Sequence, residues 1–215
     1  MFTGIVEEKG TLRSIQRGAK SSVLTIQGNI VVGDLKIGDS VAVNGICLTA
    51  TSCTENTFTA DAVPETLRRS SLNHLRAGAH VNLERAMSAN GRFGGHFVAG
   101  HVDGTGVIIG IEKDDNAIWF TVKAEPSLMK YIVEKGSVAI DGISLTVAEV
   151  SDESFRVSVI PHTVNATTLS ERAVGDIVNL ENDVVGKYVE KLMGFEPAPT
   201  AQSGLTKDFL TKHGY

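Results

Sequence analysis

The stretch Ser40-Val-Ala-Val-Asn-Gly-Ile-Cys-Leu-Thr-Ala50 recurs as Ser137-Val-Ala-Ile-Asp-Gly-Ile-Ser-Leu-Thr-Val147, with seven of eleven positions identical at an offset of 97. The register then runs on without a gap. Phe58 meets Phe155, Val63-Pro64-Glu65-Thr66-Leu67 meets Ile160-Pro161-His162-Thr163-Val164, and Leu72 meets Leu169. Gly78 meets Gly175, and Val81-Asn82-Leu83-Glu84 meets Val178-Asn179-Leu180-Glu181. Upstream, Gly4 and Gly10 meet Gly100 and Gly106 at an offset of 96. Chance does not hold one register over that length. Two copies are too few for a solenoid, which needs at least three stacked repeats. The chain therefore divides into a first domain at 1–96, a second at 97–184, and a helical tail at 185–215.

Each copy reads as all-β. Thr57–Val63, His80–Glu84 and, in the second copy, Trp119–Lys123 alternate apolar and polar residues at period two. Asn44-Gly45, Asp141-Gly142, Gly38-Asp39 and Gly175-Asp176 supply turn chemistry. Many short strands with frequent turns predict tandem six-stranded antiparallel Greek-key barrels, whose closure removes exposed strand edges. Proline-led helical segments are expected at Pro64–Leu75 and Pro126–Lys135. Ser88–His96, rich in glycine, reads as a linker.

Beyond Asp183 the pattern changes. Val185, Tyr188, Val189 and Leu192 fall at i, i+3, i+4 and i+7, with Asn182 or Asp183 placed to cap. That is one amphipathic helix of about ten to twelve residues, marginal alone in water. Its apolar stripe needs a partner, either the barrels or a second copy of the chain. Residues 196–204 then read as flexible and 205–215 as a weak terminal segment.

Composition narrows the function classes. The 215 residues carry 20 Lys and Arg against 25 Asp and Glu, a net charge of −5, which disfavours nucleic acid as a partner. Two cysteines, Cys47 and Cys53, are too few for a disulfide framework or a metal quartet. Met1–Val6 lacks a basic leader and no apolar run reaches a membrane-spanning length, so the expectation is a soluble cytoplasmic protein with no membrane partner. His96 and His101 are an odd number of residues apart, hence on opposite faces of a strand, so no metal site is expected. Gly104-x-Gly106-x-x-x-Gly110 lacks the helix-opening context of a dinucleotide fingerprint.

Met1-Phe-Thr-Gly-Ile-Val6, the doubled Gly-Ile-[Cys/Ser]-Leu-Thr segment, Gly95-His96 followed by Gly100-His101-Val102, and Met129-Lys130-Tyr131 together resemble the riboflavin synthase family of the α-subunit type. The likeness runs from residue 1 to about 195 and includes the duplication itself. It implies two barrels, a C-terminal helix and a homotrimer whose site lies between the first barrel of one subunit and the second barrel of its neighbour. Association with lumazine synthase is a further partner it suggests. The implied reaction is a dismutation of two 6,7-dimethyl-8-ribityllumazine molecules. One gives a four-carbon unit to the other, yielding riboflavin and 5-amino-6-ribitylamino-uracil with no metal or redox cofactor. Duplication suits such chemistry, because two copies of one substrate must be bound. The rival reading is a non-catalytic lumazine or flavin antenna, as in the lumazine proteins of luminous bacteria. A flavin-dependent reductase would need a nicotinamide-binding domain for which no room remains.

The resemblance places ligand-binding segments at Gly4-Ile5-Val6, Cys47-Leu48-Thr49 and Asp61-Ala62-Val63-Pro64-Glu65-Thr66 in the first copy. Those of the second are Gly100-His101-Val102, Ser144-Leu145-Thr146 and Val159-Ile160-Pro161-His162-Thr163-Val164, with Lys135 beside them. Strand backbone can hydrogen-bond a pyrimidine ring, and threonine hydroxyls suit a ribityl chain. Ordinary strand threonines and a solvated lysine are the plain alternative.

The copies differ at Cys47/Ser144, Asn44/Asp141, Glu65/His162, Ile5/His101 and Ala86/Asp183. Most of these exchanges put a titratable group in the second copy where the first is neutral. Ser144 is the candidate for polarising a water or the ring, and Asp141 for orienting Ser144 or fixing the ribityl chain. Their plain alternative is turn residues. His101 suits general acid–base work, since an unperturbed histidine titrates at about 6.5. Thr146 and Asp183 follow as catalytic candidates. Cys47 is a nucleophile or a pocket wall, the latter favoured because buried cysteines pack as small hydrophobes. His162 stands where the family varies between Glu and His.

Overall fold

The structure, a computed structural model, describes residues 1–18, 21–194 and 211. The segments read as flexible at 196–204 and as weakly ordered at 205–215 lie outside the described residues, apart from 211. The first copy forms β1 (Glu8–Arg17), β2 (Ser22–Gln27), β3 (Ser40–Val43), β4 (Ile46–Cys53), β5 (Thr57–Ala62), the short helix α1 (Pro64–Arg68) and β6 (His80–Arg85). The second forms β7 (Gly104–Asp114), β8 (Ala117–Ala124), α2 (Pro126–Met129), β9 (Ser137–Ile140), β10 (Ile143–Val150), β11 (Ser154–Val159), α3 (Pro161–Ala166) and β12 (Ile177–Asn182). Helix α4 (Val184–Met193) ends the described body. Each copy is a closed antiparallel barrel, in the order β1-β2-β5-β4-β3-β6 and, equivalently, β7-β8-β11-β10-β9-β12. Every strand from β9 to β12 starts 97 residues after its counterpart from β3 to β6, as 137 follows 40 and 177 follows 80.

Each barrel has its own core. Leu12, Leu24, Ile26, Phe58 and Leu83 fill the first, and Ile108, Phe120, Val122, Phe155 and Leu180 fill the second. A smaller cluster of Phe2, Ala42, Val98 and Ala139 lies between them. Burying a Phe2-sized side chain contributes roughly 1.5–3 kcal/mol, so the chain's first residues are tied into the joint.

The joint has a pseudo-twofold built from the expected turns. Asn44 and Gly45 have φ of 46° and 78°, and Asp141 and Gly142 have 46° and 80°. Two successive positive φ values define the tight hairpin turn that Asn-Gly and Asp-Gly favour. The two turns meet tip to tip: a Cβ on Gly45 would lie 2.7 Å from the Gly142 nitrogen, so neither position admits a side chain without displacing backbone. Around them, Asn82 donates from its side chain to the Asp141 carbonyl at 3.0 Å, and Asn179 donates to the Asn44 carbonyl at 2.8 Å. Their side-chain oxygens accept from Thr168 N at 2.8 Å and Ser71 N at 2.7 Å, each across the barrel boundary. Buried polar atoms satisfied only by the other domain specify the docking as well as stabilise it.

The expected helix at Pro64–Leu75 is shorter. Ser70 is extended, at φ −128° and ψ 166°, and its hydroxyl bonds the Thr66 carbonyl, so α1 stops and a single 3-10 turn follows at Ser71–His74. Likewise Pro126–Lys135 narrows to α2, with Lys135 left-handed at φ 64°. Helix α4 forms as the spacing predicts. The Asp183 carboxylate accepts from Val185 N at 3.0 Å at its start, and left-handed Gly194 (φ 66°) closes its end. Val185, Tyr188, Val189 and Leu192 are all exposed, so the barrels of this chain leave the stripe bare. Among the described residues no helix is long and apolar enough to cross a membrane.

Candidate functional site

Period-two geometry decides which candidate side chains can meet a ligand. Along β4, Ile46 and Leu48 point into the first core while Cys47 and Thr49 point out. Along β10, Ile143 and Leu145 point in while Ser144 and Thr146 point out. Leu48 and Leu145 therefore serve as core, and Ala62, Val159 and Val164 are buried with them. The exposed outer-face residues are Thr49, Asp61, Val63, Pro64 and Glu65 in the first copy, and Thr146, Ile160, Pro161 and His162 in the second.

The grouping of segments by copy is corrected by the structure: the N-terminal segments are exchanged. The Gly4 carbonyl accepts from Ser144 N of the second barrel at 2.8 Å, and the Gly100 carbonyl accepts from Cys47 N of the first at 2.8 Å. Val6 packs on the second core and Val102 on the first. The cause is the pairing of Phe2 with Val98, through Phe2 N to Val98 O at 2.8 Å and the reverse at 3.2 Å, which carries each segment past the joint. Each chain segment is back on its own barrel by Glu7, whose N–H donates to the Leu83 carbonyl, and by Asp103, whose N–H donates to that of Leu180. Gly4 and Gly100 have φ of 77° and 81°, and a Cβ at either would lie 2.6 Å from the Cβ of Ser144 or Cys47.

Two unlike half-sites result. At the first barrel, Cys47, Glu65 and Thr66 line a cavity of about 190 Å³ together with Gly100, His101 and Val102; Ile46 and Arg69 complete it. Leu48, Thr49 and 61–64 stay outside that lining. His101 thus faces Cys47, and not Ser144 as its place in the second copy suggests. The Glu65 carboxylate is engaged by Arg69 and Arg68, which hold it below the usual carboxylate range. His162, its counterpart, has Asn165 and Ala166 where those arginines stand.

At the second barrel, Ser144 stands beside Gly4, and His96 Nδ1 and Ser144 Oγ share a hydrogen bond of 2.7 Å. His96 is only 7% exposed, and its Nε2 has no partner. Burial pushes its pKa below the ordinary 6.5 against an opposing pull from the Asp183 charge, so the ring is neutral near pH 7. A neutral imidazole on a serine hydroxyl is a base–nucleophile arrangement. Reading the repeat misses this histidine, because His96 precedes the alignable part of the second copy and has no partner in the first. The signal for it is the preceding Gly94-Gly95: a Cβ on Gly95 would fall 2.0 Å from the Thr3 carbonyl and 2.8 Å from Ser144 Cβ.

Lys135 is exposed in the left-handed region where the first copy has Gly38 at φ 95°. A lysine held where glycine is cheaper is a strained position of the kind that clusters at functional sites. Asp141 does not reach either half-site. It is fully buried in the joint, accepts from Asn179 N at 2.8 Å and pairs with Arg172 at 2.5 Å. Burial raises its carboxyl above the usual range, opposed by the Arg172 charge. Its carboxylate is thus spent on Asn179 N and Arg172 within the second barrel and not on Ser144, while its backbone carbonyl takes the Asn82 amide across the joint. Asp183 caps α4 and borders a cavity of about 430 Å³ between that helix and Tyr131 and Val133. Cys47 and Cys53 are free thiols, and among the described residues no His, Cys, Asp and Glu cluster could hold a metal ion.

Comparison with known proteins identifies the family of the two barrels. The lumazine binding domain family matches twice, at residues 3–86 and 99–183. The riboflavin synthase of Actinobacillus pleuropneumoniae is 54% identical over 215 residues, covering all of both chains. That of Bacillus subtilis is 48% identical over 215 residues, again covering both completely. That of Schizosaccharomyces pombe is 43% identical over 195 residues, or 90% of this chain and 94% of its own. Among solved structures, LumP complexed with 6,7-dimethyl-8-(1'-D-ribityl) lumazine superposes with a TM-score of 0.77 at 22% identity, covering 85% of this chain and 99% of that one. Its complex with riboflavin gives 0.78 at the same identity.

Proposed function

The chain belongs to the riboflavin synthase family, and from that premise we propose that it is an enzyme that binds two molecules of 6,7-dimethyl-8-ribityllumazine and moves a four-carbon unit from one to the other. The products are riboflavin and 5-amino-6-ribitylamino-uracil. Donor and acceptor are the same compound, so electrons and atoms balance without an added oxidant or cofactor. The observation that carries this reading is a pair of half-sites alike in scaffold and unlike in chemistry, with the buried His96–Ser144 pair at one only.

In this reading each barrel holds one lumazine. Gly4-Ile5-Val6, Ser144, Thr146, Lys135 and the outer face of 160–163 hold one, and Cys47, Thr49, the outer face of 61–66 and Gly100-His101-Val102 hold the other, while Leu48, Ala62, Leu145, Val159 and Val164 back them from the cores. Ser144, its hydroxyl bonded to neutral His96, polarises the water or hydroxyl that adds at C7 of the ring it faces. His101 takes or returns the 7-methyl proton across the gap, and Cys47 forms a wall beside it. Two half-sites on different barrels must face each other for four carbons to pass. We therefore read the working assembly as a homotrimer, with the first barrel of one subunit against the second barrel of the next. The bare stripe of α4 suits contact with another copy. The cytoplasm is the expected compartment and lumazine synthase a partner to test.

Incubating the purified protein with the lumazine alone decides the reading. Riboflavin and the pyrimidine should appear one to one. Stoichiometric binding without turnover would instead identify an antenna protein. An active monomer in sedimentation would overturn the trimer.

A further inference from the structure

Two buried carboxylates have no part in the chemistry above. Glu84 is the penultimate residue of β6 and Glu181 that of β12, and they are 6% and 3% exposed. Each is held mainly by peptide N–H groups and makes no salt bridge among the described residues, although the Lys187 charge acts on Glu181 from nearby. Glu84 accepts from Thr3 N at 2.7 Å, Thr3 Oγ1 at 2.8 Å and Gly4 N at 3.0 Å. Glu181 accepts from Ala99 N at 2.6 Å and Gly100 N at 3.0 Å. A buried ion without a counter-ion is costly, and an apolar residue of similar volume would stabilise a joint at less cost. Burial indeed pushes both carboxyls above the ordinary 4.5 against these bonds. What an apolar residue lacks is the ability to fix two consecutive peptide planes.

We propose that Glu84 and Glu181 are crosswise positioning residues: the carboxylate at the end of each barrel's last strand holds the ligand-binding segment that serves the other barrel. Glu84 sets the Gly4 peptide whose carbonyl meets Ser144 N, and Glu181 sets the Gly100 peptide whose carbonyl meets Cys47 N. Beyond the pinned glycine, Val6 or Val102 anchors the segment in the opposite core. Between the two anchors one side chain, Ile5 or His101, is left projecting. Glutamate clamps thus give both half-sites the same backbone while leaving the projecting residue free to differ. The inference rests on the function proposed above and assigns to each clamp the half-site it supports.

Cys47 reports the first-barrel cavity directly. In a Cys53→Ala background, the rate of maleimide labelling of Cys47 is followed as 6,7-dimethyl-8-ribityllumazine is added, and turnover is measured in parallel. Glutamine keeps one acceptor and loses the other, which leaves a buried N–H unpaired and weakens the half-site roughly ten-fold. Glu181→Gln is expected to shift protection of Cys47 to about ten-fold higher lumazine. Glu84→Gln, though it lies in the barrel of Cys47, is expected to leave that protection within about two-fold and to act on turnover through KM by roughly ten-fold. Equal shifts from the two variants, or a shift from Glu84→Gln alone, would overturn the crossing. If the glutamine variants do not fold, Glu84→Asp and Glu181→Asp, which keep both acceptors on a shorter stem, must show the same crossed pattern. Crossed shifts in the variants of a protein whose wild type binds lumazine without turnover would uphold the clamps and reject the enzyme. Turnover with uncrossed protection would do the reverse.

Discussion

The two barrels build the same hairpin tip with different polarity. At its hairpin tip the first uses Asn44, with Leu75 at the position that Arg172 holds in the second. The Asn44 Nδ2 finds no partner there, whereas the corresponding Asp141 oxygen meets the Arg172 guanidinium. Backbone, turn type and the Asn82/Asn179 bonds are otherwise shared. A neutral and an ionic version of one hairpin tip therefore coexist in one molecule, each side chain bonded within its own barrel. The half-sites show the same division: common backbone donors and acceptors, with chemistry placed by a few side-chain exchanges.

Making the second hairpin tip resemble the first is the sharpest way to test that comparison. Arg172→Leu alone strands a buried carboxylate and should cost about 3–5 kcal/mol in urea unfolding. Adding Asp141→Asn recreates the first-copy pair and should return stability to within about 1 kcal/mol of wild type. A double variant as unstable as the single would show that the ion pair is structural after all.

The half-sites come next. Ser144→Ala and His96→Gln should each lower kcat by about a hundred-fold or more while lumazine binding changes little. His101→Ala should lower kcat with binding likewise retained, and unchanged turnover in any of these removes that residue from the chemistry. Cys47→Ser, which copies the second barrel into the first, should cost under about ten-fold if the thiol is only a wall.

The pH dependence separates the barrels further. The folded pKa of His96 lies below its unfolded value of 6.5. The unfolded chain therefore takes up the proton first, and stability falls as pH drops below 6.5 until the folded ring also protonates. His96→Gln lacks this dependence, so the wild-type-minus-variant stability difference should fall as pH drops through that window. A variant that tracks wild type at every pH would mean that the ring is not buried neutral.

The smallest expected effect is at Lys135. Lys135→Gly, matching Gly38, relieves a left-handed side chain worth roughly 1–2 kcal/mol, partly offset by the roughly 0.5–1 kcal/mol entropy cost of glycine. A slightly higher melting temperature with weaker lumazine binding is the outcome that marks the lysine as functional.

Much of the fold was readable because its cues are local. Asn-Gly and Asp-Gly specify their turns, period-two stretches specify strands, and the i, i+3, i+4, i+7 stripe after Asp183 specifies α4. Where tertiary contacts compete, reading by pattern overran, as when the Ser71 N–H bonds Asn179 of the other barrel and the helix expected to reach Leu75 stops before it. The site was partly readable, since Cys47, Ser144 and their threonines point outward by alternation. His96 was not, because a histidine in a glycine-rich linker carries no period and no repeat partner.

By itself the sequence determined that there are two barrels, which turns join their strands and which positions differ between them. All of these follow from hydrogen bonding and steric rules acting over a few residues, or from comparing one copy with the other. Only the tertiary structure decided which barrel each N-terminal segment serves, that Asp141 belongs to the joint, and that His96 belongs to Ser144. Those outcomes depend on Phe2 meeting Val98 and on two glycine turns touching tip to tip. Such contacts lie 96 or 97 residues apart in the chain, as 98 is from 2 and 142 from 45, and no local preference encodes them.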